Sequence, residues 1–105
     1  MNTLKYSNRG GIPALRSTSA VVADTTLTVT FPNYSNFPRN YSGYMTLNIA
    51  QAFTATGVTA VNLVIQGTTV ALTIPNNAPA TDDQITGPGI YEAFMDSTSN
   101  TIQLV

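Results

Sequence analysis

Residues 60–74, Ala-Val-Asn-Leu-Val-Ile-Gln-Gly-Thr-Thr-Val-Ala-Leu-Thr-Ile, contain two runs in which every second side chain is apolar. The alternating members are Val61, Leu63, Ile65, Val70, Leu72 and Ile74. A period of two places side chains on one face of a β-strand. Gly67 lies between the runs, where it can take the positive φ that a tight primed turn needs. The stretch therefore predicts a β-hairpin with one apolar face.

The same period recurs along the rest of the chain. It is present at 26–31 and 44–49, and a second hairpin is predicted from 89–95 and 101–105. Six Pro and seven Gly separate the runs, and the one helix-like stretch, 48–55, is stopped by β-branched residues and a glycine. These signals predict an all-β fold, a small antiparallel β-sandwich or barrel of about seven short strands with an extended N-terminal arm.

The two ends of the chain differ in charge. Residues 1–17 carry Lys5, Arg9 and Arg16 and no acidic residue, whereas residues 18–105 carry one basic residue, Arg39, against five acidic ones. This asymmetry predicts a basic extended arm, 1–17, ahead of a single β-sandwich domain, 18–105. One alternative is an ordinary frayed terminus. The functional hypothesis is an arm that becomes ordered when it docks on a partner.

The composition excludes several classes of function. Charged residues make up 9% of the 105 residues, against about 25% in an ordinary soluble domain. Little charge repulsion then keeps copies apart, which favours a homo-oligomer. The chain has no Cys and no His, so it lacks thiolate nucleophiles, imidazole bases and Cys or His metal ligands. Four basic residues argue against nucleic acid as a partner, and no apolar run is long enough to span a membrane.

The acidic residues show no catalytic or metal-binding pattern. Asp82 and Asp83 lie in a loop that offers oxygen ligands for calcium, but the spacing is not that of an EF-hand, and two acids in a turn are more often solvated. No flanking motif singles out a carboxylate pair for glycoside hydrolysis. We therefore expect no catalytic residue, no metal site and no cofactor.

An aromatic-rich segment, 31–44, is the first candidate for partner binding. Its aromatic residues are Phe31, Tyr34, Phe37, Tyr41 and Tyr44. Tyrosines in a polar loop suit a subunit interface or a sugar platform, while the structural alternative is that the rings cap one end of the sandwich. The candidate partner-binding residues in this segment are Tyr34, Phe37, Tyr41 and Tyr44, beside Lys5, Arg9 and Arg16 of the arm.

Phe94 is a further candidate, because of the charge on its neighbour. In 90–95 either Ile90, Glu92 and Phe94 or the alternate set Tyr91, Ala93 and Met95 faces the core. Burying Glu92 without a partner is expensive. The cost favours the alternate set inside, and it places Phe94 on an interface.

The C-terminal part of the chain resembles small β modules of tailed-bacteriophage fibres and capsid-attached proteins. The resemblance covers about residues 60–105 and rests on a strand with a Gly-x-Tyr-x-Ala pattern at 89–93, a turn that contains Asp96, and a closing strand that ends in Gln103-Leu104. The chain departs from that pattern at Met95, where an aromatic residue is common, and at 97–99, where a single Gly often completes the turn.

The resemblance implies a non-enzymatic virion structural protein, assembled in the host cytoplasm. It would be an auxiliary or decoration protein, or a fibre-anchoring protein, on a bacteriophage capsid, docked through its basic arm. The implied partners are a major capsid or fibre protein and further copies of the chain, as a trimer in phage fibre modules. The alternatives are a tail-fibre subunit or a carbohydrate-binding module that uses the Tyr-rich segment 31–44. The lack of a signal-peptide pattern and of Trp argues against the module.

Overall fold

A computed structural model describes residues 12–34 and 41–105 and the backbone of residues 7–9. In these ranges the chain forms ten strands, one short 3-10 turn (Pro75–Asn77) and no α-helix, so the predicted all-β class is confirmed. The strands are β1 (Ser7–Arg9), β2 (Ile12–Arg16), β3 (Ser19–Ala23), β4 (Thr26–Thr30), β5 (Ser42–Ile49), β6 (Ala60–Ile65), β7 (Thr68–Ile74), β8 (Ala78–Pro79), β9 (Gly89–Asp96) and β10 (Thr101–Leu104). No helix in the described part of the chain is long and apolar enough to cross a membrane.

The strands form one curled sheet in the order β1-β2-β5-β9-β10-β7-β6-β4-β3, with β8 paired to β7. β7 joins the two halves of this sheet. Its Leu72 and Thr73 pair with β10, and its first four residues, 68–71, pair with β6. The first half of the sheet therefore holds β1, β2, β5, β9 and β10, and the second half holds β3, β4 and β6.

The sheet is mixed, which corrects the antiparallel arrangement and the count of about seven strands predicted from the sequence. β2 runs parallel to β5, β4 to β6, and β7 to β10. The chain crosses between the halves, so strands that are neighbours in one half are separated in sequence by strands of the other. β5, for example, lies between β4 and β6 in sequence but belongs to the first half. Antiparallel pairing holds within the hairpins β3–β4, β6–β7 and β9–β10.

The turn of the β6–β7 hairpin has the predicted geometry. Ile65 pairs with Thr68, which leaves a two-residue loop. Both loop residues have positive φ, 52° at Gln66 and 78° at Gly67. Two positive φ angles are typical of a type I′ turn, whose twist matches that of the flanking strands. The glycine signal therefore identified this hairpin correctly.

One core lies on the inner face of both halves. Its fully buried large side chains include Leu15, Leu27, Met45, Leu47, Ile49, Leu63, Leu72, Ile85 and Ile102. In β9, Ala93 is buried, and Tyr91 and Met95 pack against the core, while Glu92 and Phe94 are exposed. The register argued from the cost of burying Glu92 is confirmed.

Residues 12–17 belong to the sheet, which corrects the predicted arm at that end. β2 pairs with β5 through Ala14–Thr46, Leu15–Leu47 and Arg16–Asn48. Leu15 is the fully buried apolar residue of β2 and lies between the two faces of the fold. The sequence Ile-Pro-Ala-Leu-Arg at 12–16 does not show the regular alternation that predicts a strand. Ser7–Arg9 pairs with β2 as an edge strand; residues 1–6, 10 and 11 lie outside the described residues.

Leu72→Ala tests this core. Leu72 is 1% exposed and lies where β7 meets β10. Removing a buried leucine side chain costs about 2–5 kcal/mol, so the free energy of unfolding should fall by that amount in urea titrations followed by circular dichroism. Phe94→Ala, at an exposed position, is the control and should cost much less. Equal losses from the two variants would contradict the inward and outward assignments.

Candidate functional site

Exposed apolar side chains form a row across the outer face of the first half of the sheet. Tyr44 of β5 lies directly opposite Phe94 of β9, and Phe94 lies opposite Gln103 of β10. The β2–β5 register, continued by two residues, brings Ile12 beside Tyr44. The alternation that puts the neighbours of these residues in the core leaves this row facing outward.

The centre of the row is an aromatic pair. The ring centroids of Tyr44 and Phe94 are 5.2 Å apart, and the ring planes meet at 87°. This edge-to-face arrangement is one that aromatic rings prefer. Tyr44 nevertheless remains 55% exposed and Phe94 41% exposed. The pair is therefore ordered by its own contact but leaves much aromatic surface in water.

One open groove borders this pair, and a second groove lies next to the first. One of ≈ 440 Å³ is lined by Tyr44 and Phe94 on one side and by Pro75 and Val105 on the other. The second, of ≈ 530 Å³, shares Pro75 and Val105 and extends to Ile90. We call the surface formed by Ile12, Tyr44, Ile90, Phe94 and Val105 the aromatic face. All five side chains are large, apolar and exposed.

Among the side chains that the structure describes, those with charge near the aromatic face are Glu92, Asp96 and Arg16. Glu92 lies between Ile90 and Phe94 on the same side of β9 and is exposed. Asp96 follows on that side, where its Oδ1 accepts a hydrogen bond from the Thr98 N–H at 3.0 Å. Arg16 lies at the far end, opposite Asn48. A partner for this surface would need apolar groups at the centre and basic groups near Glu92.

Tyr34 lies in the core, which corrects its prediction as a partner-binding residue. The side chain is 7% exposed. Its hydroxyl donates to the carbonyl oxygen of Arg16 at 3.0 Å and accepts from the N–H of Arg16 at 3.0 Å. The Gln66 amide meets the backbone of Tyr34 as donor and as acceptor. The hydrogen bonds of Tyr34 therefore link the segment after β4 to the end of β2. Its ring is buried in the core and does not lie on a surface that a partner could contact.

The other predicted partner-binding residues are scattered. Tyr44 and Phe94 come together on the aromatic face, and Tyr41 is half-buried beside them, where its hydroxyl donates to the Tyr44 carbonyl at 2.6 Å. Arg16 is exposed at the edge of the same half. Lys5, Phe37 and the side chain of Arg9 lie outside the described residues, so their roles stay predictions.

The partner-binding residues predicted from the sequence include Tyr44 and Phe94 but not Ile12, Ile90 or Val105. Ile12 falls within the predicted arm, and Val105 ends the predicted closing strand. Ile90 was recognisable, since it shares the period of Phe94 and Glu92. The same argument that places Phe94 outward also places Ile90 outward.

A polar cluster at the corner between β2 and β3 serves the fold. Ser17 is buried; its hydroxyl donates to Gln51 Oε1 and accepts from the Ala50 N–H at 2.9 Å. The Gln51 amide donates to the Ser17 carbonyl at 2.9 Å. An amide is not a general base, and this cluster gives Ser17 no means of losing its proton.

The acidic loop at 82–83 is also used by the fold. Asp82 Oδ2 accepts a hydrogen bond from the Gly57 N–H at 2.9 Å, and the Asp83 N–H donates to Thr81 Oγ1 at 3.2 Å. Across the described ranges, no three Asp, Glu, His or Cys side chains come close enough together to hold a metal ion.

Comparison of the chain with family models, with curated proteins and with solved structures gives no match.

Tyr34→Phe tests the structural role of the buried hydroxyl. The variant leaves the N–H of Arg16 without its partner, which should lower the free energy of unfolding by about 1–3 kcal/mol at pH 7. Tyr44→Phe, at an exposed position, is the matched control and should change it little. If urea titrations give the same free energy of unfolding for the Tyr34→Phe variant and the unsubstituted chain, the hydroxyl does not contribute to stability.

The same variant should change the stability of the protein at alkaline pH. Burial raises the pKa of the Tyr34 phenol from 10.0, against a lowering by the Arg16 backbone hydrogen bond. The folded pKa lies above the unfolded one, so the stabilisation that comes from the neutral Tyr34 phenol is fully present below about pH 10. It is lost as the pH rises through the folded pKa. The Tyr34→Phe variant should therefore lose less stability than the unsubstituted chain as the pH rises above about 10. Identical losses would contradict this assignment.

Proposed function

We propose that the chain is a non-enzymatic structural protein of a bacteriophage particle, an auxiliary or fibre-anchoring protein on the capsid. The observation that carries this proposal is the aromatic face, a surface of ordered but exposed apolar side chains centred on Tyr44 and Phe94. Exposed apolar surface of this kind marks a contact with another macromolecule. Aromatic residues supply much of the energy at such contacts.

The low fraction of charged residues in the chain supports a permanent partner. A chain with 9% charged residues has little repulsion to oppose close packing of many copies. The aromatic face has acidic neighbours in Glu92 and Asp96, so the partner surface in this proposal is apolar with basic groups.

The basic arm is part of the same proposal, but it is shorter than the arm predicted from the sequence. Since residues 7–9 and 12–16 lie in strands of the sheet, the part left as an arm in this proposal is residues 1–6, with Lys5, and Arg9 lies on the edge strand that follows it. Basic side chains there suit an acidic patch on a capsid or fibre protein. Arg16, at the edge of the described sheet, extends that charge toward the aromatic face.

The sandwich interpretation of the fold is also part of this proposal. The two halves of the curled sheet share a single core, and β7 takes part in both. A small sandwich with two outer faces suits a protein that packs between neighbours on a particle surface. In this arrangement the aromatic face is one outer face, and the other is the outer side of β3 and of the Thr-rich strand β4.

A sugar platform in the Tyr-rich segment receives less support. Of its tyrosines, Tyr34 is buried and Tyr41 bonds the backbone of Tyr44. Tyr44 meets Phe94 edge to face, at 87°, so the two rings do not form one flat surface for a sugar ring. A macromolecular contact fits this geometry better.

The test is incorporation into particles. A tagged chain is supplied from a plasmid in a host infected with the phage that encodes it, and density-banded particles are analysed by quantitative mass spectrometry. The Phe94→Lys variant places a charge at the centre of the aromatic face and should reduce incorporation at least tenfold, because desolvating an unpaired charge is costly. Thr28→Lys, on the other outer face, is the control and should incorporate normally.

Two outcomes would contradict the proposal. The first is that the unsubstituted chain is absent from banded particles. The second is that Phe94→Lys and Thr28→Lys incorporate equally well. Urea titrations of both purified variants confirm beforehand that each folds.

A further inference from the structure

β3 is the last strand of the sheet in its second half. It pairs with β4 on one side through five consecutive pairs, from Ser19–Thr30 to Ala23–Thr26. Within the described residues no strand lies on its other side. Every second residue of an edge strand directs its N–H and C=O groups away from the sheet. This edge therefore offers a row of backbone donors and acceptors to another strand.

The edge lacks the features that usually prevent strand pairing. Its sequence is Ser-Ala-Val-Val-Ala, without charge, proline or glycine. The pairing with β4 is regular over its whole length, so no bulge turns the edge aside. Natural edge strands are normally protected by lysine, proline, a bulge or an inward charge. Val21 at its centre is 56% exposed.

We propose that β3 pairs antiparallel with β3 of a second copy, about a two-fold axis at Val21. Full overlap of the five residues requires the axis at that position, which places Val21 opposite Val21 of the partner copy. On the inner side, Ala20 and Val22 pack against the core and are partly buried. When the two edges pair, Ala20 of each copy lies opposite Val22 of the other copy, so that the two cores become continuous.

The chemistry of the edge matches that of a second copy as the occupant. The strand carries no charge, so no like charges meet when two β3 edges pair. Val21, which is exposed in the single chain, then contacts Val21 of the second copy, and the centre of the contact is apolar on both sides. An antiparallel edge pair of identical strands closes on itself, so it forms a dimer and not a filament.

The size of the contact sets its strength. Five paired residues with few side-chain contacts make an interface below the 1,200 Å² or so of stable complexes. The dimer is therefore weak in solution. On a particle, two copies held by the aromatic face lie at high effective concentration, and the same contact links them without further surface. This inference does not depend on the particle proposal, because edge pairing is measured on the purified chain.

Cysteine cross-linking tests the geometry directly. The chain has no Cys, so Val21→Cys introduces a single thiol on the proposed axis. Side chains directly opposite in an antiparallel pair lie about 4.5–5.5 Å apart at Cβ, close to disulfide geometry. Mild oxidation should convert this variant to a disulfide dimer. Thr28→Cys is the matched control: it lies opposite Val21 on β4, about 14 Å from its symmetry mate, and should form no disulfide dimer under the same oxidation.

Charge exchange tests the association without a covalent bond. In sedimentation over about 10–500 µM, Val21→Lys should weaken self-association at least tenfold, because like charges directly opposite each other repel. A mixture of Val21→Lys and Val21→Glu should restore it. Phe94→Lys, which leaves β3 unchanged, should associate like the unsubstituted chain.

The failures of this inference and of the proposed function are distinguishable. Equal cross-linking of Val21→Cys and Thr28→Cys, or a chain that is monomeric at every concentration, overturns the pairing of β3. A monomeric chain whose Val21→Lys variant is lost from particles would assign the edge to a strand of another protein, which also overturns it. Loss of Phe94→Lys from particles bears on the aromatic face alone.

Discussion

The charge of Glu92 decides which side of β9 faces water, and the outer surface of the first half depends on that choice. β9 lies between β5 and β10 and pairs with both. With Glu92 exposed, Ala93 must enter the core and Phe94 must face outward beside Tyr44. A shift of one residue would bury the carboxylate at a cost that a domain of this size cannot bear. The outward position of Phe94 at the centre of the aromatic face therefore follows from the cost of burying the Glu92 carboxylate, which the fold avoids.

The corner between β2 and β3 joins the two halves of the sheet. Ser17 and Gln51 hold the chain to the end of β5, and Tyr34 holds Arg16 from the second half. The backbone N–H and C=O groups of Arg16 and Ser17 are therefore all hydrogen-bonded where the chain passes from one half to the other. The same corner leaves β3 at the end of the sheet, where its outer edge has no neighbour in the described residues.

Local pattern predicted local structure well and long-range structure poorly. The hairpins β6–β7 and β9–β10 followed from period two and from the turn residues, and the outward position of Phe94 followed from Glu92. The parallel pairs β2–β5, β4–β6 and β7–β10 were missed because the order of strands depends on contacts between distant segments. Tyr34 was misassigned because a tyrosine in a polar segment has the same sequence signal whether its hydroxyl meets water or the backbone of Arg16. Ile12 was missed because β2 has only one fully buried apolar residue to mark it as a strand.

In the proposed assembly a partner covers the aromatic face. Hydroxyl-radical footprinting with mass spectrometry measures this directly, because the aromatic side chains of Tyr44 and Phe94 react readily and are 55% and 41% exposed in the isolated chain. Both residues should be strongly modified in the purified protein and markedly protected in intact particles, with Tyr34 unreactive in each state. Equal modification of Tyr44 and Phe94 in particles and in the purified chain would show that no partner covers this face.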